Sequence, residues 1–301
     1  RLRIKKTNPS RRCCFKFIKM IIWLASYPKS GNTWLRSLIS SYYYSKSGDF
    51  DFNLLNNIDQ FPSVNYFKND KDLYLKPEDT SVKWISKQKE INKDKKIKLF
   101  KTHNAICKIN KNSFTDRKNT LGGIYIVRDP RNIITSLSHH YQINRDEAVN
   151  FMNDEKRALI EKKDERFLGF IALFSWRLHV DSWNNCKLFP VLTIRYEDLE
   201  LSTYETFKKV IEFIKNISNS NISFNRERAK KTIVSCDFEK LKSLEEKNGF
   251  KEAMLKKDKS GRVKFFNLGR ENNFKKILDP TIIDQMNNTY KEYLTKFNYE
   301  I

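Results

Sequence analysis

Lys29, Ser30, Gly31, Asn32 and Thr33, followed at once by Trp34, are the residues whose types and spacing point most directly to chemistry. They lie between a short apolar run, Ile21 to Ser26, and a helical pattern from Trp34 to Ile39. A strand, a tight loop with a Lys and a Gly, and a helix start make a cradle for a phosphate. The first N–H groups of a helix have no internal partners and carry the positive end of its dipole. Lys29 adds a mobile full charge, Thr33 a hydroxyl, and Trp34 a flat aromatic face beside the bound anion. Such a face suits a nucleotide whose base lies close to its own phosphate. The Lys precedes the lone Gly, so this is not the G-x-x-x-x-G-K-[ST] loop of the common nucleotide triphosphatases.

A cradle of this kind needs strands that end side by side. Further short apolar runs are present at Ile97–His103, Ile124–Arg128 and Pro190–Arg195, the second of these after a Gly-Gly turn. Asp129-Pro130 predicts a helix start, with Asp as N-cap and Pro in the first turn, and Ile133, Ile134, Leu137 and Tyr141 fall on one face. The pattern predicts further helices over about 32–44, 145–163, 167–183 and 281–297, and Ser202-Thr203-Tyr204-Glu205 reads as a capping box opening another. Residues 48–95 are polar and loop-rich with scattered aromatics, and 247–276 are polar and Lys-rich, as a mobile lid would be. Short strands alternating with helices predict an α/β domain with a central parallel sheet flanked by helices on both faces. In such sheets ligands bind at the carboxyl ends of the strands, and polar residues follow all four runs directly.

The chain has 301 residues, 39% hydrophobic and 13% aromatic, enough for one large domain with a sizeable core. The net charge of +22 is spread along the chain with abundant Lys; it suits a polyanion and also fits a general compositional bias. Cys13, Cys14, Cys107, Cys186 and Cys236 form no C-x-x-C and have no His at zinc-ligand spacing, which reads as reduced thiols in a cytoplasm-like compartment and no metal. No apolar run reaches the ~20 residues needed to span a bilayer. Residues 1–19 are basic and unpatterned, so the fold is expected over 20–299, with Met20 a candidate translation start.

The loop at Tyr27–Trp34 resembles the 5′-phosphosulfate loop of sulfotransferases that use 3′-phosphoadenosine 5′-phosphosulfate (PAPS). Lys101-Thr102-His103 resembles the K-T-H of the cytosolic-type members, in which the His is the catalytic base. A hydroxyl must lose its proton as it attacks sulfur, and His is the side chain poised for that near neutrality. Arg128-Asp129-Pro130-Arg131 with Ser136 is similar to the motif whose first Arg and Ser bind the 3′-phosphate, and an Arg fork suits a phosphate. Tyr196-Glu197-Asp198-Leu199 matches the family's Y-E-D-L, whose Tyr touches adenine. Cys236-Asp237-Phe238 stands where the family has T-S-F, which makes Phe238 the aromatic wall opposite Trp34. The helix with Ser175, Trp176, His179 and Trp183 resembles S-W-x-x-H-V-x-x-W, and its His reads as packing. At the lid the usual R-K-G-x-x-G-D-W-K is replaced by Asn267-Leu268-Gly269-Arg270-Glu271-Asn272-Asn273-Phe274-Lys275. Gly269 and the aromatic–Lys pair survive, the leading Arg-Lys does not, and Arg270 or Lys264 is left to replace it.

The resemblance implies a P-loop-nucleotide-kinase-like fold and in-line transfer of a sulfuryl group from PAPS to a hydroxyl. His103 would take the acceptor's proton, and Lys29 with Lys101 would stabilise the leaving oxygen. The acceptor is a small molecule or glycan, with 50–85 and 167–183 as pocket walls. The product is 3′-phosphoadenosine 5′-phosphate (PAP). Three alternatives stay open: a PAP(S)-binding pseudoenzyme, a nucleotide kinase on the same fold that needs Mg²⁺, and a nucleic-acid binder driven by charge alone. The last should show steep salt dependence and no preference for PAPS.

Overall fold

The computed structural model of the protein describes residues 20–221 and 223–301; the basic extension 1–19, with Cys13 and Cys14, lies outside the described residues. Alternation along the strands decides the architecture. In β1 (Ile21–Ser26) every residue is buried. Ile21, Trp23 and Ala25 face one apolar cluster, and Ile22 and Leu24 face another on the opposite side. A strand with both faces covered is what a parallel sheet between two helical layers requires. At about 1.5–3 kcal/mol for each large apolar side chain fully buried, these strands are the main apolar anchor of the fold.

From β1 the chain enters α1 (Asn32–Tyr44), the short strand β2 (Asp59–Gln60), α2 (Val64–Phe67), α3 (Trp84–Ile91) and then β3 (Lys98–Thr102). A small hairpin, β4 (Lys108–Ile109) and β5 (Asn112–Ser113), leads to β6 (Thr120–Val127), α4 (Pro130–Tyr141) and α5 (Arg145–Asn153). A second hairpin, β7 (Ala158–Lys163) and β8 (Arg166–Ala172), precedes α6 (Trp176–Asn184) and β9 (Val191–Arg195). The rest is helical: α7 (Tyr196–Leu201), α8 (Thr203–Ser218), α9 (Arg226–Ser235), α10 (Phe238–Asn248), α11 (Phe274–Ile277) and α12 (Pro280–Lys296).

The sheet order is β2-β3-β1-β6-β9, with every pair parallel. The chain runs from β1 to β3 on one side and then to β6 on the other. A crevice therefore opens at the carboxyl end of β1, where open α/β sheets bind ligands. The expected α/β class, central parallel sheet and flanking helices are all present. Among the described residues no helix is long and apolar enough to cross a membrane.

Several local expectations are corrected. The helix expected over 145–163 ends at Asn153, and the one expected over 167–183 is a strand as far as Ala172 and a helix only from Trp176. The β7–β8 register pairs Lys163 with Arg166 across Asp164 (φ 51°) and Glu165 (φ 62°), the positive-φ pair of a type I′ hairpin turn. Such turns usually announce themselves with Asn-Gly, and Asp-Glu hid this one. Gly122 and Gly123 are not a turn but lie inside β6, with the Trp183 ring packed on Gly123. Ser202 stands at the N-cap of α8 but its side chain makes no cap hydrogen bond, since α7 ends directly before it. Asp129 does cap α4, accepting from Arg131 N at 2.9 Å, with Pro130 in the first turn.

Candidate active site

The loop between β1 and α1 turns sharply at Lys29 (φ 64°) and Gly31 (φ 98°), and Gly31 is the N-cap of α1. A Cβ on Gly31 would sit 2.5 Å from the Tyr196 ring, so both backbone sign and close approach demand glycine here. Asn32 donates Nδ2–H to Leu24 O at 2.9 Å and so ties the helix start back to β1. Ser30 Oγ is buried without a hydrogen-bond partner. The Lys29 ammonium lies 3.8 Å from the centre of the Phe265 ring. Burial, then the Arg128 guanidinium, lower the Lys29 pKa to about 7, with Glu252 opposing.

Sheet register brings in the imidazole. Ala25 pairs with Thr102, so the next residues, Ser26 and His103, are neighbours at the strand ends. His103 Nδ1 is 2.7 Å from Ser26 O. A carbonyl only accepts, so Nδ1 carries the hydrogen and Nε2 keeps its lone pair. Burial and the nearby Lys101 ammonium lower the His103 pKa to about 3, so the ring is neutral at working pH. His179 braces the same turn: Tyr125 Oη lies 2.9 Å from its Nδ1, and its Nε2 donates to His103 O at 3.1 Å. That fits the packing role read from the Trp–His–Trp spacing, and Trp176, His179 and Trp183 are all fully buried.

Arg128 follows β6 and reaches back across the loop. One terminal nitrogen donates to Lys29 O at 3.0 Å and lies 3.4 Å from Ser136 Oγ, while the guanidinium carbon sits 4.1 Å from the Tyr196 ring centre. Its Nε is buried without a partner. An anion accepting from that nitrogen removes a desolvation cost of about 1–3 kcal/mol. Trp34 donates its indole N–H to Cys236 O at 3.0 Å, which fixes the ring at the mouth of the crevice; Cys236 itself is fully buried. Gly269 (φ 54°) presses on Phe238, where a Cβ would come within 2.5 Å of the ring.

A single 640 Å³ cavity joins these groups: Lys29, Gly31, Asn32, Thr33 and Trp34 line one wall, with Lys101 and His103 beside them. Arg128, Ser136 and Tyr196 line another, and Phe238, Gly269 and Arg270 close it from the C-terminal side. Of the residues singled out from sequence for binding or catalysis, Ser30, Cys236 and Lys264 do not line it. The two lid cations differ: Arg270 is exposed at the cavity rim, whereas Lys264 pairs with Glu246 at 2.9 Å. From the lid it is Asn272, rather than an Arg or Lys, that reaches Ser136, donating to its Oγ at 3.1 Å. The aromatics between 50 and 85 are mostly core, not pocket wall: Phe61, Phe67 and Trp84 are fully buried and Phe52 lines a neighbouring cavity. Tyr141, Leu159, Ile171 and Met254 line the cavity that holds His103.

Sequence reasoning missed Glu252. Its carboxylate meets Arg36 at 2.6 Å and Lys101 at 3.0 Å and accepts from Thr33 Oγ1 at 3.2 Å. Burial alone would raise its pKa, but the Lys101 ammonium and the Arg36 guanidinium hold it well below the usual carboxylate range. The only signal available was a Glu in a Lys-rich stretch, which says nothing about a cation some 150 residues earlier.

Comparison with known proteins assigns the family. The profile of the sulfotransferase domain matches residues 20–298. Sulfotransferase 1B1 of Canis lupus familiaris is 26% identical over 203 residues, 67% of this chain and 61% of that protein. Luciferin sulfotransferase of Photinus pyralis is 26% identical over 209 residues, 66% of this chain and 52% of that protein. The chain thus matches less than two thirds of the length of these curated relatives. Retinol dehydratase, solved with androsterone and the inactive cofactor PAP, superposes with a TM-score of 0.54 at 14% identity, covering 91% of this chain and 80% of that one. The same protein with retinol and PAP gives 0.54 and 14% again. That likeness is one of fold. With the profile spanning nearly all described residues, the chain belongs to the sulfotransferase domain family.

Proposed function

We propose that this protein transfers a sulfuryl group from PAPS to the hydroxyl of a small acceptor. The observation that carries this reading is the convergence in one cavity of Lys29, Gly31, Asn32 and Thr33 from the loop, Arg128 with Ser136, and an imidazole with a free Nε2. Helix and loop N–H groups with Lys29 and Thr33 suit the 5′-phosphosulfate end. Arg128 and Ser136 suit the 3′-phosphate, and Trp34 and Phe238 offer faces for adenine, with Tyr196 at its edge. Stacking of this kind contributes ~1–3 kcal/mol per base. PAPS supplies the activated sulfur–oxygen bond. His103 Nε2 takes the acceptor's proton as the new O–S bond forms, and the bridging S–O bond breaks with its electron pair left on the 5′-phosphate of PAP. Lys29 and Lys101 stabilise that charge, so the protein contributes position and electrostatics.

Bound PAP, androsterone and retinol in retinol dehydratase support both the nucleotide and a small-molecule acceptor. Tyr141, Leu159, Ile171 and Met254 favour an apolar or aromatic alcohol, although Glu161 and His140 line the same cavity. Calorimetric titration with PAP and with 5′-AMP tests the reading. PAP is expected to bind at least tenfold more tightly, about 1.4 kcal/mol; equal affinity, or no binding of either, contradicts it.

A further inference from the structure

Glu252 lies on the segment between α10 and α11, and its carboxylate joins three elements. Oε1 meets Arg36 of α1 at 2.6 Å; Oε2 meets Lys101 of β3 at 3.0 Å and accepts from Thr33 Oγ1 at 3.2 Å. The Arg36 and Lys101 side chains are only 5% and 9% exposed. Lys29, a few residues before Thr33, makes no ion pair among the described residues and rests on the ring of Phe265 from the same C-terminal segment. Three cations, Lys29, Lys101 and Arg128, thus line the cavity, and Arg36, on the wall of the neighbouring one, pairs with the same carboxylate. Glu245, the other carboxylate within influence of Lys29, is occupied by the N–H groups of Phe265 and Phe266 at 2.7 and 2.9 Å.

We propose that Glu252 is a positioning residue: its carboxylate, paired with Lys101, is the counter-charge that favours the ammonium forms of Lys101 and of Lys29 in the same cavity at the point of sulfuryl transfer before the donor arrives. The proposal rests on the sulfotransferase reading above. Buried ammonium groups tend to shed their protons unless an opposite charge lies close by. Lys29 faces Arg128 and Lys101 as like charges and Glu252 and Glu245 as opposite ones; Lys101 faces Arg36 and Glu252. His103 and His140 border the same charges and stay neutral, both held at about 3, chiefly by burial. Glu252 itself stays ionised, so it moves no proton and acts only through the lysines. It also gives Thr33 an acceptor until a phosphate oxygen takes that place.

The test is calorimetric titration of the whole chain with PAP at about pH 6 and about pH 8.5, for wild type, Glu252→Gln and Arg36→Gln. Glu252→Gln keeps the shape and removes the charge, so its affinity should fall about tenfold more than that of wild type between the two pH values. Arg36→Gln removes a competing cation and leaves the carboxylate, so its fall should be smaller than wild type's. A bridge that only braces the fold changes affinity by the same factor at both pH values. Identical pH ratios in all three proteins would overturn the proposal, and Arg36→Gln alone decides it should Glu252→Gln fail to fold. If folded wild type binds no PAP at either pH, the sulfotransferase reading falls and this proposal with it. Binding with unchanged ratios removes only the role of Glu252.

Discussion

On the proposed reading, Arg128 is the residue that would tell the 3′-phosphorylated nucleotide from its dephosphorylated form. Its Nε is buried and unpartnered while its terminal nitrogen is held by Lys29 O and Ser136, so the fork is fixed before any ligand is present. A charge-assisted bond to such a group contributes about 1.5–3 kcal/mol. Arg128→Ala should therefore weaken PAP at least tenfold more than 5′-AMP in the same titration; equal losses would remove Arg128 from the 3′-phosphate. This residue was legible because it closes an apolar run and opens a helix, so its place at a strand end follows from the chain order alone. Glu252, Phe265 and Asn272 were not legible. Each reaches the site through space from the C-terminal segment, and spacing within that segment carries no trace of α1, β3 or α4.

At the scale of elements, the four main strands were read correctly because a buried parallel sheet imposes apolar runs that leave little room for another interpretation. The hairpin β7–β8 was not. Arg166 to Ala172 is as apolar as a buried helix turn, and the chain reversal is made by Asp164 and Glu165, which carry no turn signature. Their left-handed backbone costs each of these residues about 1 kcal/mol or more relative to glycine. Asp164→Asn with Glu165→Gly should thus raise stability by roughly 1 kcal/mol, seen as a higher urea midpoint with an unchanged slope. A lower midpoint would mean that the turn is not of this type. The hairpin also bears on the site, since Leu159, Glu161 and Ile171 line the cavity that holds His103.

At the scale of the whole molecule, the fold keeps three imidazoles buried and neutral in and behind the site. His103, His140 and His179 are each held at about 3, chiefly by burial, against about 6.5 in an unfolded chain. Between those values the unfolded state binds more protons, so stability rises with pH across this window and is lost as pH falls below about 6.5. For His179, which is fully buried, the loss is about 1.4 kcal/mol per pH unit. Glu197, raised by burial, acts in the opposite sense. The urea midpoint is expected to fall from pH 7 to pH 5, before most carboxylates titrate, and a flat midpoint there would contradict the buried neutral state of these rings. The account as a whole depends on His103 turning a nucleotide site into a transfer site. The most direct measurement is transfer of labelled sulfate from PAPS to a panel of phenols, sterols, glycolipids and oligosaccharides, by wild type and His103→Ala, with PAP binding measured alongside. Labelled product with wild type, a loss of about 10²-fold or more in His103→Ala and retained PAP binding by both are predicted. Turnover by His103→Ala near the wild-type rate, or no transfer by a wild-type protein that binds PAP, would contradict it.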